Sequence, residues 1–180
     1  MNDLTVRQSA FAHFFTADTS SAPFWLIIRL FVGWQWLTAG WEKVLSPAWF
    51  GGSAGAALQG FLQGSLAKTV GAHPDVQSWY VAFLQGAVLP HLVAWSNLVA
   101  VGEVLVGAGL ILGLFTGTMA FFGFFMNLNY LLAGTVSTNP VLLVLAFGIM
   151  LAHRVAGHWG LDRFVRRGTY RISRIRGNTA

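Results

Sequence analysis

Four apolar stretches constrain the fold of this chain more than any other feature. They cover residues 24–45, 92–114, 116–133 and 140–155. A bilayer has a hydrocarbon core about 30 Å thick, and a helix needs about 20 mainly apolar residues to cross it. Charged residues make up only 9% of the chain, whereas an ordinary soluble domain carries roughly a quarter. The sequence therefore predicts an all-α integral membrane protein, a four-helix bundle formed by a single domain over residues 1–180.

The connections between these stretches differ sharply in length. Residues 113–117 and 134–139 are short and rich in turn residues, so they predict antiparallel neighbouring helices. The connection 46–91 is too long to be a simple loop. Its segments 54–70 and 76–89 are typical of short helices. We expect this long external loop to form a cap over the outer mouth of the bundle.

The basic residues are concentrated near the C-terminus. Seven of the 11 lysines and arginines lie there, namely Arg154, Arg163, Arg166, Arg167, Arg171, Arg174 and Arg176. By the positive-inside rule the tail, residues 156–180, is cytoplasmic, and four crossings then place the N-terminus there as well. We therefore expect a multi-pass protein of the cell membrane whose partner is the lipid bilayer and not nucleic acid. The tail either lies on the anionic inner leaflet or only fixes the topology.

The chain contains no cysteine, which excludes disulfides, thiolate nucleophiles, iron–sulfur clusters and covalently attached haem. His153 is the one histidine inside a predicted span, while His91 falls at the opposite face, so haem held by two histidines is not expected. The other histidines lack the spacing of metal ligands. We predict no metal and no haem. A simpler interpretation of His153 is a cation at a helix end.

The first apolar stretch carries two polar stripes at helical spacing. One stripe contains small residues and both cations, namely Arg29, Gly33, Trp36, Gly40 and Lys43. The other contains Gln35, Thr38 and Glu42. Small residues allow helices to approach closely, and lipid does not favour either stripe. We expect this helix to contact protein on two sides.

Polar side chains also follow one face of each remaining stretch. Glu103 is close to mid-membrane, where a carboxylate costs about 2.5–3.5 kcal/mol on insertion scales. A partner for it is therefore expected, such as Tyr130 or a cation. Asn127 shares its helix face with Tyr130, and Asn139 begins the polar face of the last stretch. Glu103 is either a structural hydrogen-bond hub or a functional acid.

Depth separates these groups into two levels. Arg29 is placed towards the cytoplasm, whereas Glu42, Lys43, Asn127, Tyr130 and Asn139 are placed towards the outside. A rise of 1.5 Å per residue separates Arg29 from Lys43 by about 21 Å, so one small ligand cannot touch both. The chain therefore has two sites, or one site and one structural pair. Snorkelling towards the headgroups is the simpler explanation for each of the terminal charges.

Most of the eight tryptophans lie where aromatic belts form, at the two membrane–water interfaces. Two of them are exceptions. Trp34 and Trp36 lie near the middle of the first stretch. Their flat rings either line a slot for a quinone or contribute ordinary packing.

Several pieces of the sequence resemble the DoxX/DoxD family of four-helix membrane proteins. The matching pieces, in order, are RLFVGWQWLTAGWEKVL, GEVLVGAGLILGLFTGTMAFFGFFMNLNYLLAG and GHWGLDRFV. Together they cover most of residues 24–165. The family includes the small subunit of thiosulfate:quinone oxidoreductase.

The resemblance implies a bundle that binds quinone and, in the DoxD branch, takes part in oxidising thiosulfate to tetrathionate together with a second subunit. The positions that match the family pattern are Arg29, Gly40, Lys43, Glu103, Gly107, Asn127 and 160–162.

The predicted function is therefore that of a quinone-reactive membrane oxidoreductase subunit, with quinone as bound electron acceptor. We expect Glu103 and Tyr130 to be catalytic through proton transfer. The predicted binding residues for an anionic donor or for quinone are Arg29, Trp36, Glu42, Lys43, Asn127 and Asn139. The alternatives are a non-catalytic anchor subunit of a redox complex and a small-solute transporter. A second redox subunit or further copies of the chain are the expected protein partners.

Overall fold

The computed structural model describes residues 9–165, and every regular element in that range is helical. The all-α class is therefore confirmed. Arg7 and most of the basic tail, from Arg166 onwards, lie outside the described residues. The predicted cytoplasmic position of both termini consequently stays a prediction.

Eight α-helices occur between residues 9 and 165. They are α1 (Ala10–Thr16), α2 (Ala22–Leu45), α3 (Ala56–Leu66), α4 (Ser78–Phe83), α5 (Leu92–Leu112), α6 (Thr116–Leu132), α7 (Asn139–Leu151) and α8 (His153–Ala156). Helices α2, α5, α6 and α7 correspond to the four apolar stretches, although α2 begins two residues earlier and α7 one residue earlier than predicted. Helix α7 ends at Leu151, so the stretch 140–155 contains a break at Ala152 that the sequence did not reveal.

Helices α4 and α5 are not separated as the sequence suggested. A π turn, Leu84–Val88, and a 3₁₀ turn, Leu89–His91, join them into one continuous helical run. Pro90 has no backbone N–H and cannot take part in a regular α-helical ladder, so the two irregular turns accommodate it. This run, Ser78–Leu112, is the one segment among residues 9–165 that is long and apolar enough by itself to cross a bilayer. Helix α7 is apolar but has only 13 residues.

Four helices pack in a closed ring in which α2 contacts α5, α5 contacts α6, α6 contacts α7, and α7 contacts α2. Their shared core includes Val32, Trp36, Leu110 and Ile149, all buried. The outward faces of the same helices are also apolar. Ile27, Leu98, Phe125 and Val144, one from each helix, are exposed on those faces. The outside of the ring is therefore largely apolar, while Arg29, Glu103 and Asn127 are buried within it.

Glycines bring α2 and α5 into close contact. A Cβ atom added at Gly40 would lie 2.6 Å from the backbone nitrogen of Val104 and 2.8 Å from the Cβ atom of Glu103. One added at Gly33 would lie 3.0 Å from the carbonyl oxygen of Gly107. The small residues predicted to allow close approach therefore do so, and they bring Glu103 directly against α2.

The segment between α2 and α5 packs on one end of the ring, as expected for a cap. Leu58, Leu62 and Tyr80 form a buried cluster with Ala133 at the end of α6. The Tyr80 hydroxyl donates to the backbone oxygen of Asn129 at 3.1 Å. These contacts fix α3 and α4 against the end of the ring at which α6 ends.

Helix α1 packs at the other end of the ring. The Trp25 indole N–H donates to the carbonyl oxygen of Phe15 at 2.7 Å. Between them a 3₁₀ turn is capped by Asp18, which accepts from the hydroxyl and the backbone N–H of Ser20. These two hydrogen bonds hold the pKa of the Asp18 carboxyl below its ordinary value.

Candidate functional site

Glu103 is the centre of the candidate site. It lies in the middle of α5, where the absence of a side chain at Gly40 leaves room for it, and only 1% of its surface is exposed. Its Oε2 accepts a hydrogen bond from Lys43 Nζ at 2.7 Å. Its Oε1 accepts from the Tyr130 hydroxyl at 2.5 Å. The partner that a buried carboxylate requires is thus supplied by both of the expected groups, a cation and a tyrosine.

Lys43 reaches Glu103 from the last turn of α2. Its side chain is 20% exposed, so it retains contact with the solvent side of the site. The Trp49 ring covers it, with Nζ 5.3 Å from the ring centroid. The buried Ser96 hydroxyl donates to the Trp49 carbonyl oxygen at 2.6 Å and fixes that residue. The ammonium is therefore held between a carboxylate and an aromatic face.

Aromatic rings surround Tyr130. Its ring stacks on Trp36, with centroids 6.3 Å apart and planes at 22°. Phe61, from α3 of the cap, meets it edge to face with centroids 6.0 Å apart. The carboxylate network is consequently enclosed by apolar ring surfaces on two sides.

These side chains open onto a cavity of about 400 Å³. Its lining residues are Gln35, Trp36, Thr38, Ala39, Glu42, Lys43, Trp49, Phe61, Glu103, Tyr130, Thr135, Ser137, Thr138, Asn139 and Leu142. One wall carries the charged and aromatic groups. The opposite wall consists of hydroxyl and amide side chains from the α6–α7 connection and the start of α7. Exposed Glu42, Ser137 and Thr138 form its rim.

The charges of the cavity favour an uncharged guest. Among its lining residues Lys43 is the one cation, and that cation is already paired with Glu103. Glu42 adds a second carboxylate at the rim. An anion that entered would therefore meet repulsion from Glu42 and would have to compete with Glu103 for Lys43. A neutral molecule with hydrogen-bonding oxygens meets neither obstacle.

The structure brings together most of the residues predicted for the site. Glu103, Tyr130, Lys43, Trp36, Glu42 and Asn139 all line the cavity. Asn139 also donates through Nδ2 to the carbonyl oxygen of Thr135 at 3.0 Å. The second polar stripe of α2, with Gln35, Thr38 and Glu42, faces the same cavity.

Arg29 does not line this cavity, in keeping with the distance from Lys43 that the sequence predicts. Arg29 lies at the other end of the ring, is 1% exposed, and donates to the carbonyl oxygens of Ala156 and Trp159, at 3.2 Å each. A Cβ atom at Gly113 would overlap its guanidinium, and one at Gly160 would lie 2.5 Å from it. The guanidinium thus fills a space that two glycines leave open. It belongs to a structural contact at the opposite end from the cavity.

The structure corrects the prediction for Asn127 and rules out one of the two alternatives for Trp34. Asn127 is 0% exposed but does not line the cavity, because the Trp36 ring contacts α6 on both sides of it, at Gly123 and at Tyr130. Trp34 is 61% exposed on the outer face of α2, so it cannot line an interior slot. Helical spacing identified the face of each residue but not which side chains would cover it.

The sequence did not identify several lining residues. Trp49 and Phe61 come from the cap, and Thr135, Ser137 and Thr138 come from the short α6–α7 connection. The hydroxyl-rich sequence TVSTN at 135–139 was an available signal for this wall. Cap residues carried no signal beyond the expectation that the cap covers the mouth.

His153 does not line the cavity. His153 is exposed at the start of α8, with Nδ1 3.0 Å from the carbonyl oxygen of Met150, which agrees with a helix-end interpretation. Within residues 9–165 no group of three or more histidine or acidic side chains is arranged to hold a metal ion.

The chain matches a known protein family. No curated protein and no solved structure matches the chain. The family model described as "TQO small subunit DoxD" matches residues 24–176. This range includes α5, α6 and α7, helix α2 from its third residue onwards, the cap and every residue of the cavity. The chain therefore belongs to the DoxD family, the small subunits of thiosulfate:quinone oxidoreductase.

Proposed function

We propose that this chain is the membrane-embedded, quinone-reactive small subunit of an oxidoreductase that uses thiosulfate as electron donor. In this proposal the cavity beside Glu103 binds the quinone headgroup. The observation that carries the proposal is a buried carboxylate, bonded to Lys43 and Tyr130, at the wall of a ligand-sized cavity. Membership of the DoxD family supports the reaction class.

The apolar outer surface of the ring supports four membrane crossings by α2, α5, α6 and α7. Exposed leucine, isoleucine, valine and phenylalanine side chains occur on the outward face of every one of these helices. The ionisable side chains Arg29 and Glu103 are instead buried inside. Ionisable groups within a bilayer face the interior of a bundle in this way because lipid does not solvate them.

The cavity suits a quinone headgroup in size and chemistry. Binding sites for small molecules have volumes of about 300–1,000 Å³ and mainly apolar walls with a few polar groups. Trp36, Phe61 and Tyr130 would hold a flat ring, while Lys43 and the hydroxyl wall supply donors for its carbonyl oxygens. The cavity also lacks the free cation that an anionic cofactor would require.

The protein contributes proton transfer and exclusion of water. A quinone, when bound, accepts two electrons and two protons. The Tyr130 hydroxyl can donate a proton towards the cavity and be reprotonated from the Lys43 ammonium, with Glu103 as the relay between them and water at the rim returning the proton to Lys43. Lys43 keeps Glu103 oriented and joins it to the more exposed rim. Trp49 and Phe61 of the cap shield the network from bulk water.

The cavity offers fewer binding groups to the electron donor, thiosulfate, than to the quinone. Oxidation of two thiosulfate ions to one tetrathionate releases two electrons, which matches the two that a quinone accepts. In the proposal the donor approaches the rim, where Thr135, Ser137 and Thr138 offer neutral hydrogen-bond donors and Lys43 the one positive charge. Glu42 weakens this binding, so we expect a high Michaelis constant for thiosulfate on the isolated chain.

The proposal is tested with the purified full chain in detergent. Solvent extraction followed by mass spectrometry should recover quinone, and thiosulfate should bleach an added short-chain quinone in a stopped-flow assay. Glu103→Gln should lower that rate by about 100-fold or more, as loss of a general acid or base does. Glu42→Gln, at the rim of the same cavity, is the matched control and should retain or increase the rate. Absence of extractable quinone together with equal rates for both variants would refute the proposal.

A non-catalytic anchor is the second candidate, because the family is described as a small subunit and therefore functions beside another protein. In that case the isolated chain would bind no quinone, and the activity would be recovered only with the partner. The Glu103→Gln variant would then retain full activity in the complex.

A further inference from the structure

Several buried side-chain nitrogen and oxygen atoms of residues 9–165 have no hydrogen-bond partner, and three of them belong to two side chains in the interior of the bundle. These three are the Nε1 atom of Trp36 and the two amide atoms of Asn127, Oδ1 and Nδ2. Trp36 is 3% exposed and Asn127 is 0% exposed. Each atom is thus shielded from solvent while its hydrogen-bonding capacity is unused.

The two side chains are neighbours in the interior. A Cβ atom at Gly123 would lie 3.1 Å from Trp36 Nε1, and the Tyr130 ring stacks on the indole. Gly123, Asn127 and Tyr130 share one face of α6 because they are four and three residues apart. Helical side chains point back towards the N-terminus, so the Asn127 amide is directed towards Gly123 and the indole N–H.

Unpaired polar atoms in this position are energetically unfavourable. An unsatisfied buried donor or acceptor costs about 1–3 kcal/mol, and native proteins leave few of them. Where such groups cluster, a small polar guest usually bonds to them, and the guest is often a buried water molecule. A donor on the indole and a donor and an acceptor on one amide are complementary to an oxygen atom.

We propose that Trp36 and Asn127 form an enclosed binding site for one oxygen atom behind the inner wall of the cavity. The oxygen accepts hydrogen bonds from the indole N–H and from the Asn127 Nδ2. It has two possible sources: a resident water, which also donates to Asn127 Oδ1, or a carbonyl oxygen of a ligand in the cavity, which reaches the site only if the Trp36 ring turns aside. The second source rests on the proposed function.

This site makes Asn127 a positioning residue. Trp36 forms part of the cavity wall and also supplies half of the oxygen site, so the bound oxygen fixes the orientation of the ring. Removal of the Asn127 amide would free the indole without altering any residue that borders the cavity.

The test uses solution NMR of the full chain in detergent with ¹⁵N-labelled tryptophan indoles. The Trp36 signal is assigned by its loss in Trp36→Phe. In the ligand-free wild type, a downfield indole resonance with a cross-peak to a long-lived water identifies the resident water. A downfield shift that occurs only after a short-chain quinone is added identifies the ligand carbonyl.

Asn127→Leu, of similar volume, should move the Trp36 resonance upfield and remove the water cross-peak or the quinone-induced shift. Asn129→Leu is the control, because Asn129 is on the same helix but bonds Tyr80 and not Trp36; it should leave the Trp36 resonance unchanged. The wild-type spectra do not depend on the folding of either variant. A wild-type indole with neither a water cross-peak nor a quinone-induced shift would overturn the inference. Failure of quinone to bind would overturn the proposed function but not the resident water.

Discussion

Lys43 Nζ lies 2.7 Å from Glu103 Oε2, but the two ends of this ion pair are unequally buried, with 20% of the lysine side chain exposed and 1% of the glutamate. The ammonium can therefore regain water if its partner is removed. The carboxylate cannot, because α2 covers it at Gly40. The penalty for breaking the pair depends on which charge remains.

Lys43→Met should destabilise the protein more than Glu103→Gln. The first leaves an unpaired buried carboxylate, for which a loss of about 3–5 kcal/mol is typical. The second leaves a lysine with access to solvent and a neutral amide that still accepts from Tyr130, so we expect about 1–2 kcal/mol, the size of a lost buried hydrogen bond. Thermal unfolding of the three proteins in one detergent measures both changes.

The double variant Lys43→Met/Glu103→Gln provides the control. Without either charge, its stability should exceed that of Lys43→Met alone, and the interaction energy from the mutant cycle should be favourable for the pair. Strictly additive losses would show that the two side chains are not coupled.

Helical spacing was sufficient to predict the helix faces but not the contacts made between helices. Glu103 was expected to have a cation or Tyr130 as its partner, and it has both, because an intramembrane carboxylate has few alternatives. Arg29 was grouped with Lys43 because they share a stripe. The position of Arg29 at the opposite end follows from 14 intervening residues, but its partners are carbonyl groups far along the chain, which no local pattern specifies.

The remaining differences between the predicted and the observed site are caused by large side chains. Trp36 covers Asn127, and the cap residues Trp49 and Phe61 complete the cavity. Sequence periodicity predicts which face of its own helix a residue lies on. It does not predict how much space the side chains of a neighbouring helix occupy. Cap residues such as Phe61, in α3, have no periodic signal that relates them to Tyr130 on another helix.

Gly40→Ala should separate α2 from α5 and weaken the site. The added Cβ atom would lie 2.6 Å from the backbone nitrogen of Val104, which cannot move without the helix. Overpacking of this kind costs about 1–3 kcal/mol. The shift should also displace Glu103, and a displacement of about 1 Å can lower a catalytic rate 100-fold. Thermal unfolding and the quinone assay measure the two effects.

Gly60→Ala is the matched control for this change. Gly60 lies in the middle of α3 with nothing within 4 Å of the added Cβ atom. Alanine should there stabilise the helix by about 0.5–1 kcal/mol and leave activity unchanged. Equal responses of the two variants would contradict the close packing at Gly40.

Gly113→Ala should disrupt the structural contact of Arg29. Gly113 has a φ of +63°, which disfavours alanine, and the new Cβ atom would overlap the Arg29 guanidinium. Gly71→Ala serves as the comparison, since Gly71 has a φ of +107° and nothing within 4 Å of an added Cβ atom. Backbone strain alone costs roughly 1–2 kcal/mol. We expect Gly113→Ala to lower the melting temperature clearly more than Gly71→Ala, and a smaller or equal decrease would exclude steric displacement of Arg29.

Asp162 should stabilise α6 from outside the helix. Its carboxylate accepts from the backbone N–H groups of Phe115 and Thr116, at 2.6 and 3.0 Å. Thr116 is fully buried, so water cannot replace the carboxylate at this helix start. Asp162→Ala should therefore cost about 0.5–2 kcal/mol, as loss of an N-cap does. Asp162→Asn keeps one acceptor oxygen and should cost less.

Because α6 also carries Tyr130, its first turn fixes the register of the helix that reaches the cavity. Chemical or thermal unfolding followed by far-ultraviolet circular dichroism gives the stability of both Asp162 variants. Hydrogen exchange at the amides of Phe115 and Thr116 reports the local loss directly, and we expect faster exchange there in Asp162→Ala than in Asp162→Asn. Unchanged protection of both amides in the alanine variant would show that Asp162 does not cap this helix.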